Sequence, residues 1–476
     1  MSSRGSASLL GRDERMGRGL EAARVAPLYK RLPHGPHRLA RNEVIRHQRA
    51  RIHGAMVEAV GEHGYERTSV REIVALAGVS RRSFYEQFAN KEVAFLATFD
   101  LLAGRTMRRM GKAYENADGD LEGRLRAALG EFSDTATSER KAAVLMVVES
   151  QTAGPPGLLR LRRATARCEQ MLARTFIDSP EASPLPAPIV RGIAGGLHGA
   201  MYSRLRGRQH HDPSDFTEEM LRWTLLFQTP AAERLATHVA ERLERHMRRN
   251  AANANGNGNG NGNGNGAHRA NGHGPFRPGS ADEDDRERLL QNTLRLAVVD
   301  DYRELTAPQI AEESDVSIEA FFELFGDKEA CFLAALDMLG DELLATVADP
   351  ALVSSDWPQA VRRVIAELMR YLAEHPLYAQ TIAQQAFGAG PNAVQRNVEL
   401  AQGIATLLTE GAPCKPQSAL SVDGVAGAIW HTVRCQVAAE RIQLLPALSD
   451  YLAYVVLAPF LGADAAIEAV TEDLGD

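Results

Sequence analysis

Apolar residues recur at helical spacing along most of the chain. Ile45, Ile52, Met56, Ala59 and Val60 fall on one face of a helix predicted over 44–62, and Gly64 offers it a stop. Ser69 and Glu72 make an S-x-x-E capping box that opens a second helix. Gly78 suits a tight turn needing positive φ. Ser80 caps a third helix, 81–88, which buries Phe84 and Phe88 because residues four apart share a face. Asn90 caps a fourth helix from Lys91. A short helix, a glycine turn and another short helix make a helix-turn-helix. Residues 121–250 and 341–476 read as further amphipathic helices, and no period-two run suggests a strand.

The pattern occurs twice, at an offset of 237 residues. Tyr65, Ile73, Val79-Ser80, Phe84, Phe88, Lys91-Glu92, Phe95-Leu96-Ala97 and Asp100 meet Tyr302, Ile310, Val316-Ser317, Phe321, Phe325, Lys328-Glu329, Phe332-Leu333-Ala334 and Asp337. Thr306 and Gln309 repeat the capping box. Such a run at constant offset marks two copies of one helical unit. Between them lies the alternating Asn/Gly tract 253–266, which has no apolar side chain to bury and reads, with its flanks, as a flexible linker over 251–281. Six segments result: a basic arm 1–41, a helix-turn-helix domain 42–95, a helical body 96–250, the linker 251–281, a second helix-turn-helix 282–332 and a second body 333–476.

Residues 68–91, TSVREIVALAGVSRRSFYEQFANK, resemble the DNA-reading motif of TetR-family regulators, with V-S-[RK]-x-[ST]-F-Y-x-x-F-x-x-K-E after a short capped helix. The resemblance covers about 50 residues, 44–94, and fades in the bodies. It implies an all-α, dimeric protein of two tandem TetR-like units, each a three-helix DNA-binding domain followed by a ligand-binding and dimerisation body, that leaves DNA when a small-molecule inducer binds. The expected DNA contacts are Thr68, Ser69, Ser80, Arg81, Arg82, Ser83, Tyr85, Gln87 and Lys91. The residues themselves agree. With Phe84 and Phe88 inward, Arg81, Arg82, Ser83, Tyr85 and Gln87 project outward, near the start of a helix that enters a major groove. Arg81 and Arg82 can each bond a guanine edge bidentately, worth about 1–3 kcal/mol of discrimination. Tyr85 and Lys91 suit phosphate, and the helix starts at Ser69 and Ser80 present N–H groups to it.

The second copy loses this chemistry. Ile318, Glu319, Ala320, Phe322 and Leu324 stand where Arg81, Arg82, Ser83, Tyr85 and Gln87 stand in the first. Residues 41–91 carry a charge of +3 and residues 278–328 carry −9, so phosphate repels the second copy. It is expected to keep the scaffold without reading DNA, and Ile318, Phe322 and Leu324 could form an apolar patch for protein contact.

Charge and composition sharpen this picture. The net charge of −7 hides a basic first 91 residues with 17 Lys/Arg against 9 Asp/Glu, and screening makes the local balance decisive. The arm 1–41 is either a solubilising tail or, over Lys30–Arg41, a strand reaching DNA backbone or minor groove. Cys168, Cys331, Cys414 and Cys435 form no C-x-x-C pair and His210-His211, His34 and His37 have no ligating neighbours, so no disulfide framework, metal or cofactor is expected. No phosphate loop or nucleophile elbow suggests an enzyme. The most apolar run, 451–463, is shorter than a membrane span and contains Pro459; a cytoplasmic protein without a membrane is expected.

In the bodies, Gly192-Ile193-Ala194-Gly195-Gly196-Leu197 resembles Gly424-Val425-Ala426-Gly427-Ala428-Ile429. These helices are either internal core or, as the family resemblance implies, halves of a four-helix dimer bundle built from 188–206 with 214–229 and 421–440 with 448–461. One chain offers one competent head, whereas a repressor reads two half-sites. A homodimer with two N-terminal heads on double-stranded DNA is therefore favoured over pairing of the two units within a chain. The reading is a ligand-responsive repressor, with a ligand-sensing or protein-interaction scaffold of incidental DNA affinity as the alternative.

Overall fold

The computed structural model describes residues 41–207, 213–256, 281–349 and 356–472; the basic arm before Arg41, His210-His211 and residues 257–280 of the expected linker lie outside them. The described residues form helices and turns, with no strand among them. The chain divides into two compact units, 1–102 and 103–476, so the division falls near the end of the first helix-turn-helix and not at the Asn/Gly tract.

In the first unit, α1 (Arg41–His63) is followed by α2 (Val70–Ala77), α3 (Arg81–Tyr85) and the start of α4 (Lys91–Asn116). The predicted stops and caps are present, except that the capping box at Ser69 and Glu72 forms only its Ser69 half. Gly64 and Gly78 have φ of 81° and 60°, and Asn90 Oδ1 accepts the Val93 N–H at 2.8 Å. Ser69 Oγ accepts the Glu72 N–H, while the Glu72 carboxylate lies 3.1 Å from His63 Nε2. The third helix is shorter than the expected 81–88. The Gln87 N–H bonds Phe84 O, a tighter turn that closes the helix after Tyr85. Ile52, Met56, Ile73, Phe84 and Phe95 are fully buried, each large side chain stabilising the unit by about 1.5–3 kcal/mol. His53 is buried among them, its Nδ1 2.8 Å from Thr98 Oγ1, which donates to Ala94 O.

The second unit contains both bodies and the second helix-turn-helix. The first body consists of the remainder of α4, α5 (Leu121–Ser138), a short helical stretch with a π-helical turn at Val144–Glu149, α6 (Gly154–Asp178), α7 (Ala187–Leu205), α8 (Pro213–Leu225) and α9 (Ala232–Gly256). Because α9 runs to Gly256, the first residues of the expected linker are helical. The second copy of the motif is α10 (Ala281–Asp300), α11 (Ala307–Glu313), α12 (Ile318–Phe325) and the start of α13 (Lys328–Val347). Its capping box at Thr306 and Gln309 is reciprocal. Asp315 takes the left-handed conformation of Gly78, with φ of 52°, a role short polar side chains tolerate. Then follow α14 (Trp357–Glu374), α15 (Pro376–Ala383), α16 (Pro391–Thr409), α17 (Ser421–Ala438), α18 (Ser449–Leu461) and α19 (Ala463–Thr471).

The two bodies pair with each other. Helix α7 crosses α17 at the repeated small residues, so closely that a Cβ on Gly427 would lie 2.4 Å from Gly195 O and one on Gly195 2.8 Å from Gly427 O. Gly195 and Gly427 are counterparts in the repeat, and contact between counterparts is the mark of a twofold arrangement. The flanking contacts exchange in the same way: Gly195 meets His431, and Gly199, the counterpart of His431, meets Gly427. The Trp223 ring of α8 fills the space over Gly196 and Gly424, and its Nε1 donates to Ile193 O. Val455 of α18, the counterpart of Trp223, packs on Gly192. Tyr454 donates to Phe227 O at 3.1 Å, and Arg242 holds the buried Asp450 carboxylate at 2.6 and 2.7 Å. The four helices predicted for a dimer bundle thus assemble inside one chain.

The second helix-turn-helix is docked onto this assembly. Arg303 Nη2 donates to Ala153 O at 3.1 Å, over Gly154, whose φ is 74°. The segment Ile442–Leu461 does reach the length and mean hydropathy, 1.6, of a membrane span, against the expectation that none would. It is the bundle's core strut, with Leu452 to Ala458 all buried.

Two outcomes follow from this packing. Gly427→Val forces α7 and α17 apart and should lower the stability of the second unit by about 1–3 kcal/mol or more. Gly111→Ala, on a helix with nothing within 4 Å of the added methyl, should be neutral or stabilising by up to about 1 kcal/mol; denaturant unfolding of both variants checks the contrast. In the first unit, burial first and the Arg49 charge second push the His53 pKa down to about 4. Its stabilising effect is therefore complete above about pH 6.5 and is lost as pH falls toward 4, since only the unfolded chain binds the proton in that window. Unfolding monitored on that domain between pH 7 and 4 should show this slope in the wild type and a flattened one in His53→Leu.

Candidate nucleic-acid interface

The local fold of the first copy separates the nine predicted contacts into two groups. Arg81 is exposed, and no side chain holds it among the described residues. Arg82 is exposed and pairs with Glu86 at 3.0 Å. An exposed pair of this kind is worth about 0–1 kcal/mol, so a phosphate or base edge can displace Glu86. Tyr85 is 49% exposed, its ring set edge-on against Phe84. Ser80 and Ser83 sit at the start of α3, where Ser80 Oγ accepts the Ser83 N–H at 3.0 Å and the two hydroxyls share a 2.9 Å bond. Ser69 caps α2 at the surface.

The other three turn inward. Thr68 is buried and donates to Gly64 O at 2.7 Å. Gln87 is half-buried, its Nε2 donating to Gln48 Oε1 and Ser83 O. Lys91 donates to Tyr65 O at 2.9 Å and lies over the Tyr65 ring. Burial holds its pKa below the ordinary lysine value, against the Glu66 charge. Lys328 repeats this bond to Tyr302 O at 3.0 Å over the Tyr302 ring. A lysine that makes the same contact in both copies braces the domain, which differs from the phosphate role expected of Lys91. Helix periodicity identifies which residues leave a core face; it does not identify a long side chain that folds back onto a carbonyl. Two exposed cations were missed by the motif-centred reading: Arg67 and Arg71 flank the Ser69 cap, where the second copy has Glu304 and Pro308.

In the second copy the corresponding face is acidic. Glu312, Glu313, Asp315, Glu319 and Glu323 are exposed. The expected apolar patch is reduced to Phe322, 50% exposed, because Ile318 and Leu324 pack onto the domain's own core.

Elsewhere, the second unit brings Glu169 to a His431–Cys435 pair that lies one helical turn apart on α17 and 262 residues from it along the chain. His431 Nε2 lies 2.7 Å from Glu169 Oε1 and 3.7 Å from Cys435 Sγ, an oxygen, nitrogen and sulfur set that zinc accepts. Arg191 lies 3.7 Å from the same carboxylate. Burial opposes protonation of His431, but the thiol and carboxylate outweigh it and raise its pKa. Both neighbours share one imidazole nitrogen, whereas a nucleophile–base–carboxylate relay needs the two nitrogens separately. The cluster therefore has the donors of an ion pair or metal site and lacks the geometry of a hydrolytic triad.

Residues 54–98 and 289–335 each match the family model described as bacterial regulatory proteins, tetR family. No curated protein matches the sequence. Among solved structures, the fatty acid degradation regulator FadR from Bacillus halodurans is similar at 18% identity, with 41% of this chain and 97% of that one covered and a TM-score of 0.35. The transcriptional regulator FadR from Bacillus subtilis in complex with stearoyl-CoA is similar at 17% identity, covering 37% and 96%, with a TM-score of 0.34. A TetR-like transcriptional regulator from Rhodococcus sp. RHA1 is similar at 17% identity, covering 39% and 96%, with a TM-score of 0.33. Both matched segments fold as capped helix-turn-helices and no strand occurs among the described residues, so the chain carries two tandem domains of the kind that defines the tetR family of bacterial regulatory proteins.

Proposed function

We propose that the chain is a cytoplasmic, ligand-responsive repressor that reads double-stranded DNA through its N-terminal helix-turn-helix alone. The observation that carries this reading is the exposed pair Arg81 and Arg82 on α3, set against Ile318 and Glu319 at the same places on α12. Arg81 and Arg82 reach base edges, Ser69, Ser80, Ser83 and Tyr85 orient the head on phosphates, and Arg67 and Arg71 add backbone attraction. Thr68, Gln87 and Lys91 support the head from within. An acidic α12 face repels phosphate, and its attachment through Arg303 and Ala153 suits a structural partner.

One reading head per chain still requires two chains for two half-sites, so the working complex is a homodimer on DNA. The bundle helices α7, α8, α17 and α18 are engaged within each chain, and the second chain therefore pairs through a different surface. An inducer in the helical bodies governs release.

Two measurements test this proposal. In a gel shift on the promoter beside its own gene, Arg81→Ala should weaken binding by about 1–3 kcal/mol and relax specificity, while Glu319→Ala should change nothing. Absence of any shift by the wild type at low salt would favour the scaffold reading. Light scattering of the DNA complex should give two chains of 51.8 kDa per full palindrome; a single chain protecting both half-sites would contradict the homodimer.

A further inference from the structure

Beside the pseudo-twofold crossing of α7 and α17 lies a half-open cavity of about 60 Å³ whose lining comes from both bodies. His198 and Tyr202 reach it from α7, Gln402 from α16, Trp430 and Arg434 from α17, and Gln151 from the short helix before α6. Arg434 is only 9% exposed. No hydrogen bond or carboxylate holds its guanidinium among the described residues; it is compensated only by the neighbouring Cys435 and by the Phe387 ring at 5.6 Å. His198 contributes a buried Nε2 that also has no hydrogen-bond partner.

Buried polar groups are satisfied almost without exception, and a buried charge is paired or its pKa moves. Burial pushes Arg434 down to about 10; Cys435 opposes the shift and the like charge of Arg162 adds to it. Burial first, then Arg434 and His431, press His198 down to about 3. A guanidinium without a carboxylate and an imidazole nitrogen without a hydrogen bond, both on residues lining one cavity, suit an anionic guest. Asp423 also lines the cavity, but its Oδ1 already accepts from Ser203 at 2.5 Å and Gln402 at 3.2 Å. Eleven residues of helix separate it from Arg434, roughly 16 Å along the axis. Between these ends the lining includes Trp430, Val398 and Ala401, a surface for an apolar body.

The repeat explains why the cavity lies on one side of the pseudo-axis. Gly199, Ser203 and Asp423 border it, and their counterparts across the pseudo-axis are His431, Cys435 and Arg191. On that side the Glu169–His431–Cys435 cluster occupies the corresponding region. Divergence of the two halves has filled one side and left the other hollow.

We propose that this cavity binds one small organic carboxylate per chain, with Arg434 taking the carboxylate, His198 donating to it from Nε2, and Trp430 packing on a short apolar body. The proposal rests on the inducer-responsive reading above and assigns that inducer a place and a chemical class.

Calorimetric titration of the full chain with benzoate and hexanoate, beside benzyl alcohol and hexanol, tests it. At least one carboxylate should bind saturably at one per chain, and the matching alcohol should not. Arg434→Met should weaken that binding by about ten- to a hundredfold, the loss of a charge-assisted contact, and should raise the melting temperature of the unliganded protein because an unpaired buried charge is removed. Equal binding of the alcohols, unchanged binding by Arg434→Met, or no binding of either carboxylate at millimolar concentration overturns the assignment. If Arg434→Met does not fold, the carboxylate–alcohol contrast on the wild type decides. A protein that binds carboxylate but never shifts DNA keeps this site and loses the regulator reading; one that shifts DNA and ignores carboxylates does the reverse.

Discussion

The close approach of Gly195 to Gly427 governs the rest of the second unit. Without side chains at that crossing, the α7 and α17 backbones come within reach of each other's carbonyls, and everything that flanks the axis follows. Trp223 drops onto Gly424, Val455 onto Gly192, and the buried Asp450 is matched by Arg242 from the other body. Packing of this kind is close to that of a protein interior, where a single added methyl is felt. The bundle is therefore less an interface between two finished domains than a shared core that neither half completes alone.

Much of the first unit was legible in the sequence because its signals are local. Caps at Ser69, Ser80 and Asn90, the turns at Gly64 and Gly78, and the burial of Phe84 and Phe88 each depend on residues within four or five positions. The tandem repeat was legible because the same local signals recur. What escaped depends on contacts far apart in the chain. Lys91 reaches back to Tyr65 O, and His431 meets Glu169 across 262 residues; neither pairing leaves a periodic trace. The pairing of the two bodies within the chain lies between these cases. The small residues that permit it were visible, but sequence alone does not say whether a helix meets its counterpart in the same chain or in another.

The two halves have diverged in opposite directions from one plan. The second head keeps the phenylalanine core and the lysine brace, Lys328 on Tyr302, while its outward face has become acidic. It also replaces the polar His53–Thr98 pair with the apolar Leu290 and Ala335. Near the bundle axis the same divergence produces ion-pair chemistry on one side and a hollow on the other.

Joining the halves of a bundle in one polypeptide alters what dilution can do. A pair of separate subunits falls apart below its dissociation constant and exchanges members with any similar subunit in the cell, whereas a covalently joined pair meets at a fixed effective concentration, on the order of millimolar for short tethers. Gly195 always finds this Gly427 and never that of a relative. Such a protein forms no hybrid assemblies at its bundle, and a cavity lined by both halves is complete in every copy however few copies the cell contains.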